Sequence, residues 1–110
     1  MIKLTTEELA IVHEILSRYL SGTGANVYVF GSRITEWIKP FSDLDLAIEC
    51  DEATAEKLPK LRAAFSDSDF PYFVDLVDLH RCNPDFRDIV NGQKAKLITF
   101  TKAGNGLALK

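Results

Sequence analysis

A mixed α/β sandwich is the fold class this chain predicts. Three observations point to it. Helical and strand-like stretches alternate along the sequence. The 110 residues fall in the common size range for one domain. A composition of 46% hydrophobic and 26% charged residues is that of an ordinary globule, and a chain this long can bury something over ~60% of its unfolded surface.

The elements follow in order. Thr5-Thr6-Glu7-Glu8 opens a helix as a capping box, Thr5 with Glu8, and the helix reaches about Leu20. Leu9, Val12, Leu16 and Tyr19, with Ile11 and Ile15 alongside, form one broad apolar stripe that should cover a sheet. Ser21-Gly22-Thr23-Gly24 ends it. Val27-Tyr28-Val29-Phe30 is a first strand, and Leu44-Asp45-Leu46-Ala47-Ile48 a second. A second full helix is expected over Glu56 to Phe65, with Pro59 tolerated near its first turn and Leu58, Leu61 and Phe65 inward. Tyr72 to Leu79 reads as a third strand. Asn83 caps a last helix with Pro84 in its first position, running to Val90 and stopping near Gly92. Lys96 to Thr101 forms a closing strand. The domain therefore spans 1–103, with a loose tail over 104–110.

Composition also excludes several classes. A net charge of −3 argues against a protein that holds nucleic acid by its phosphates, which requires a basic face. No apolar stretch approaches the ~20 residues of a membrane span, and the N-terminus lacks a signal-peptide layout, so the cytoplasm is expected. Cys50 and Cys82 form no metal-ligand spacing and read as free thiols.

The chemistry concentrates in one spacing. Ten residues separate Gly31-Ser32, at the end of the first strand, from Asp43-Leu44-Asp45 at the start of the second. Side chains alternate along a strand, so Asp43 and Asp45 share a face, with Cα atoms about 6.6 Å apart. Two carboxylates facing a small-residue turn suit divalent metal plus phosphate. Mg²⁺ prefers oxygen ligands and binds through one or two carboxylates with phosphates completing its shell. Paired ions roughly 3.5–4 Å apart need ligands that can bridge, as carboxylates do. Gly31 lets backbone approach a phosphate, and a helix beginning at Ser32 would turn its free N–H groups and dipole toward a triphosphate. The ions supply the positive charge that the acidic chain lacks.

Asp75 and Asp78 differ in parity, so at most one can join that face. Asp75, between Val74 and Leu76, is the costlier carboxylate to leave unpaired. It is the choice as third metal ligand and as the group that accepts a proton from an attacking hydroxyl.

Gly31-Ser32-Arg33, Ser42-Asp43-Leu44-Asp45-Leu46 and Val74-Asp75-Leu76-Val77-Asp78 together resemble the minimal nucleotidyltransferases of the DNA polymerase β-like superfamily. The likeness runs from about Val27 to Leu79. It implies a small mixed β-sheet with helices packed mainly on one face. It further implies two Mg²⁺ ions (Mn²⁺ as the alternative) held by Asp43, Asp45 and Asp75, with Gly31 and Ser32 on the triphosphate. The implied reaction moves a nucleoside monophosphate, AMP from ATP, to an acceptor hydroxyl. Stand-alone chains of this size in the family are often antitoxins that pair with a helical HEPN-type ribonuclease toxin, some by attaching AMP to a toxin tyrosine.

One position departs from the pattern. The family carries a further Gly five residues after the first, and here Glu36 stands there, followed by the bulky segment Trp37 to Phe41. Two readings remain open: an enzyme acting on a partner protein, or a weakened module that neutralises a partner by occlusion, docking through Trp37 and Phe41. A third is transfer to a small molecule or an RNA end. Arg33 is a candidate phosphate or acceptor contact, Asp78 a supporting or merely strand-end charge, and His13 a surface residue of the first helix.

Overall fold

The structure, a computed structural model, describes residues 4–31, 43–102 and 106–108, the last of these by backbone alone. Helix α1 (Thr6–Leu20) starts where the capping box places it. The Thr5 amide donates to Glu8 Oε1 at 2.9 Å, and the Glu8 amide donates to Thr5 Oγ1 at 3.1 Å. Two of the helix's orphan N-terminal donors are thereby satisfied. Strands β1 (Asn26–Phe30) and β2 (Leu44–Glu49) follow.

The helix expected over Glu56–Phe65 is α3 (Leu58–Ser66), and a short helix that was not expected, α2 (Glu52–Ala55), precedes it. Asp51 caps α2 by accepting from the Thr54 amide at 2.8 Å. Pro59 has no N–H and lies in the first turn of α3, where none is needed, so the chain breaks just before it. Strand β3 (Val74–Asp78) is shorter than the apolar run around it. Asn83 caps α4 (Pro84–Asn91), its side chain accepting from the Asp85 and Phe86 amides. Strand β4 (Ala95–Phe100) comes next.

The tail also departs from expectation, because Gly106–Ala108 form strand β5 against β4. The open backbone edge of β4 offers N–H and C=O groups that a following strand can pair, and this outweighs the looseness expected of a terminus.

The sheet order is β3-β2-β1-β4-β5. Only β2 and β3 run parallel, joined by the α2–α3 crossover; β1 pairs antiparallel with both neighbours. The main core lies on one face, where Val12, Ile15, Leu16 and Leu20 of α1 and Leu58, Leu61 and Phe65 of α3 meet Val27, Val29, Leu44, Leu46, Ile48, Val74 and Leu76. Truncating a fully buried member such as Leu16 should cost about 2–5 kcal/mol. Among the described residues, helix α4 covers part of the opposite face, where Val90 joins Tyr28, Phe30, Ala47 and Leu79. Asp45 lies on that second face, level with Phe30.

Two smaller points differ from or agree with expectation. His13 is half-buried rather than on the surface, its Nε2 has no partner, and burial lowers its pKa. Both cysteines are free thiols, and burial pushes the Cys50 thiol up to about 11. Among the described residues no helix is long and apolar enough to cross a membrane.

Candidate functional site

Strand register builds the site. Asp45 pairs with Phe30 across the antiparallel β1–β2 ladder and with Asp75 across the parallel β2–β3 ladder. Residues paired in this way project to the same face, so Phe30, Asp45 and Asp75 form a row across three strands. Asp75, not Asp78, shares the face of Asp45, but it is exposed on its strand rather than enclosed by the apolar neighbours that single it out in the sequence. Asp43 stands exposed just before β2, where the Leu44 amide donates to the Phe73 carbonyl at 2.9 Å and ties the starts of β2 and β3 together.

Gly31 closes the row from above. Its φ is +75°, a left-handed conformation that glycine adopts without penalty. A Cβ added there would collide with Asp45 Oδ2 and lie 3.4 Å from its Cγ. Glycine is thus required twice over, by the turn and by the carboxylate beneath it.

The three carboxylates share one electrostatic environment. Asp45 is half-buried at the rim of the α4 cluster, two residues from fully buried Ala47. Burial, then the charge of Asp75, then that of Asp43 raise its pKa to about 6. Asp43 and Asp75 are both exposed to solvent. Among the described residues, no three His, Cys, Asp or Glu side chains are grouped tightly enough to hold a metal ion as they stand. The donor set nevertheless suits Mg²⁺, which needs only one or two protein carboxylates and takes its remaining oxygens from water and phosphate. A divalent cation beside Asp45 would oppose both the burial and the Asp75 and Asp43 charges that raise its pKa, by favouring the carboxylate form.

Residues on both sides of Gly31 complete the surroundings. Gln93, just past α4, accepts a hydrogen bond from the Gly31 amide at 3.2 Å through Oε1. Phe86 of α4 meets the Phe30 ring edge-on, with centroids 6.0 Å apart. No sequence signal marked Gln93, because its partner is 62 residues away. Asp78 does not join the site. It pairs with Ile48, three residues further along the ladder, and its two oxygens take Arg81 Nη1 at 3.0 and 3.1 Å. Ser32, Arg33, Glu36 and the Trp37–Phe41 segment lie outside the described residues.

Two clefts occur elsewhere. One of about 390 Å³ lies between α1 and α3, and another of about 460 Å³ is lined by Asn26, Glu49, Arg81 and Lys102; neither includes any of the three carboxylates.

The geometry agrees with comparisons to known proteins. The family model for polymerase beta nucleotidyltransferases matches residues 11–101. The chain is 42% identical over 88 residues to the probable protein adenylyltransferase MntA of Haemophilus influenzae, covering 79% of this chain and 75% of that protein. Among solved structures it resembles a toxin-antitoxin with AMP-PNP at 24% identity and a TM-score of 0.56. It also resembles a mutant toxin-antitoxin MntA-HpeT at 22% identity and a TM-score of 0.53. Each match covers 80% of this chain and 70% of the other. At those identities the structural likeness carries the fold.

Proposed function

Because this chain belongs to the polymerase beta nucleotidyltransferase family, as a minimal nucleotidyltransferase domain, we propose that it transfers AMP from ATP to a hydroxyl of a partner protein. The partner in this reading is a HEPN-type ribonuclease toxin, silenced by the modification. The observation that carries the reading is the register of Asp45 against Asp75 beneath Gly31, on the sheet face that carries α4. The printed name of the relative, a protein adenylyltransferase, and the two toxin-antitoxin likenesses support the choice of acceptor class.

In this reading Asp43, Asp45 and Asp75 hold the divalent cations. Bound Mg²⁺ or Mn²⁺ offsets the charge of the triphosphate and lowers the pKa of the acceptor hydroxyl. Gly31 gives the triphosphate access to backbone, and the Ser32 hydroxyl is proposed as a second contact to it. Asp75, exposed on the edge strand, accepts the proton as the acceptor oxygen forms its bond to the α-phosphorus. The α–β phosphoanhydride breaks in line, and pyrophosphate leaves. Position and charge supply the catalysis.

Intact-mass spectrometry of a co-purified helical partner, incubated with Mg²⁺ and each NTP, tests this. An increment of AMP on the partner, lost with Asp45→Asn, is the expected result. A stable complex whose partner gains no mass under any NTP would contradict it and favour neutralisation by occlusion.

A further inference from the structure

The carboxylate face carries a second charged group that the reaction above leaves unassigned. Lys94 Nζ lies 4.0 Å from the centroid of the Tyr28 ring, and Lys96 Nζ lies 5.2 Å from the same centroid. Neither lysine forms a salt bridge among the described residues, although the chain is acidic overall. Among the described residues, Lys96 Nζ donates to the neutral Asn26 Oδ1, at 3.3 Å. Two ammonium groups over one buried aromatic ring repel each other, and the ring's negative face offsets only part of that repulsion.

Register places this pair relative to the site. Lys96 pairs with Tyr28 and Ala95 with Val29, so Lys94 stands level with Phe30, whose partner on the other side is Asp45. At ~4.8 Å per strand, the Lys94 and Asp45 Cα positions are about 10 Å apart, with the Gly31 turn rising between them. Tyr28, Phe30 and Asp45 share a face, and both ammonium groups lie over Tyr28 on it. One face of the sheet is thus acidic over β2–β3 and basic over β1–β4.

We propose that Lys94 and Lys96 form the anchor for the polyphosphate end of the nucleoside triphosphate, across the Gly31 turn from the acidic trio. This rests on the nucleotidyl-transfer reading and assigns the distal phosphates a binding site on β4. The α-phosphate stays with the acidic residues while the leaving pyrophosphate lies toward the lysines. Charge separation along the face then orients the substrate in one direction only, and the lysines stabilise negative charge that builds on the leaving group. The Tyr28 ring holds both ammonium groups on that face.

Calorimetric titration of the full chain with ATP and with AMP, in Mg²⁺, tests the assignment. The double variant Lys94→Met/Lys96→Met keeps the apolar stems over Tyr28 and removes the charges. It should bind ATP about tenfold more weakly or worse, bind AMP as the wild type does, and show a shallower salt dependence. The double Lys→Arg variant should retain ATP affinity. Unchanged ATP affinity in the Met variant would overturn the proposal while leaving the function intact. So would an equal loss in the Met and Arg variants, which would make the effect structural. A wild-type chain that binds no ATP would overturn both this proposal and the functional reading.

Discussion

Gly31 and Asp45 compete for the same space: a Cβ on the glycine would run into Oδ2 of the aspartate, and the backbone there is left-handed with φ +75°. The turn that ends β1 and the carboxylate on β2 are therefore shaped against each other. Glycine at 31 lets a half-buried acid sit directly below a backbone turn, in reach of whatever that turn binds.

Gly31→Ala separates the two requirements. The left-handed backbone alone should cost about 1–2 kcal/mol, lowering the melting temperature by on the order of 5–10 °C. The collision with Asp45 adds to this. In an Asp45→Ala background the steric part disappears, so the same substitution should cost less there. A double-mutant cycle by thermal denaturation measures the difference, and strict additivity would show that the two residues do not press on one another.

Stability should depend on pH through Asp45. Its folded pKa of about 6 lies above the ordinary value of 3.8, so the folded chain binds more protons than the unfolded one between those values. Stability from this group is fully present below about pH 3.8 and is lost as pH rises through about 6. Asp45→Asn, neutral and similar in shape, should raise the melting temperature at pH 7.5 by on the order of 5 °C and leave it nearly unchanged at pH 3.5. An equal shift at both pH values would count against a charge origin.

Asp75 and Asp78 should behave oppositely although they lie on one strand. Asp75→Asn should lower the transfer rate about 100-fold or more with an unchanged melting temperature. Asp78→Asn breaks the pair with Arg81, a partly exposed contact worth no more than about 1 kcal/mol, and should leave transfer within a few-fold. Radiolabelled ATP with the partner protein reads the first effect, and thermal denaturation the second.

Gln93 should act on nucleotide binding through the turn it holds. Gln93→Ala removes the acceptor for the Gly31 amide, a net hydrogen bond worth about 1 kcal/mol. It should raise KM for ATP while leaving kcat near the wild-type value. Gln93→Glu restores an acceptor and should recover the melting temperature, but a carboxylate beside the triphosphate keeps KM high. Steady-state kinetics of the two variants side by side distinguishes a holding role from a general loss of structure.

Period-two patterning explains what could be read in advance. Asp43 and Asp45 are two residues apart, so alternation alone predicts a shared face, whereas Asp75 meets Asp45 only through the β2–β3 register. Thr5 with Glu8, and Asn83 with Pro84, are local signals as well, and both helices start where those residues place them. What escaped was decided by contacts distant in sequence or by competition between local signals. The Gly31 amide meets Gln93, and the lysines of β4 reach Tyr28, only once β1 and β4 have paired. Asp51, as a cap, starts the short extra helix α2 ahead of the expected one, which begins at Leu58 with Pro59 in its first turn. The placement of α4 on the opposite face follows from Val90 packing under Phe30 and Tyr28, which helical periodicity alone cannot assign to one face or the other.

Titration of Mn²⁺ into the chain, with proton release recorded between pH 5.5 and 8, is the most direct test of a cation at Asp45. A group with a pKa of about 6 must lose its proton to coordinate. Binding should therefore release roughly half a proton per chain at pH 6 and almost none at pH 8, and Asp45→Asn should abolish that release. Binding that releases no proton at pH 6, or release that survives in Asp45→Asn, would contradict the account.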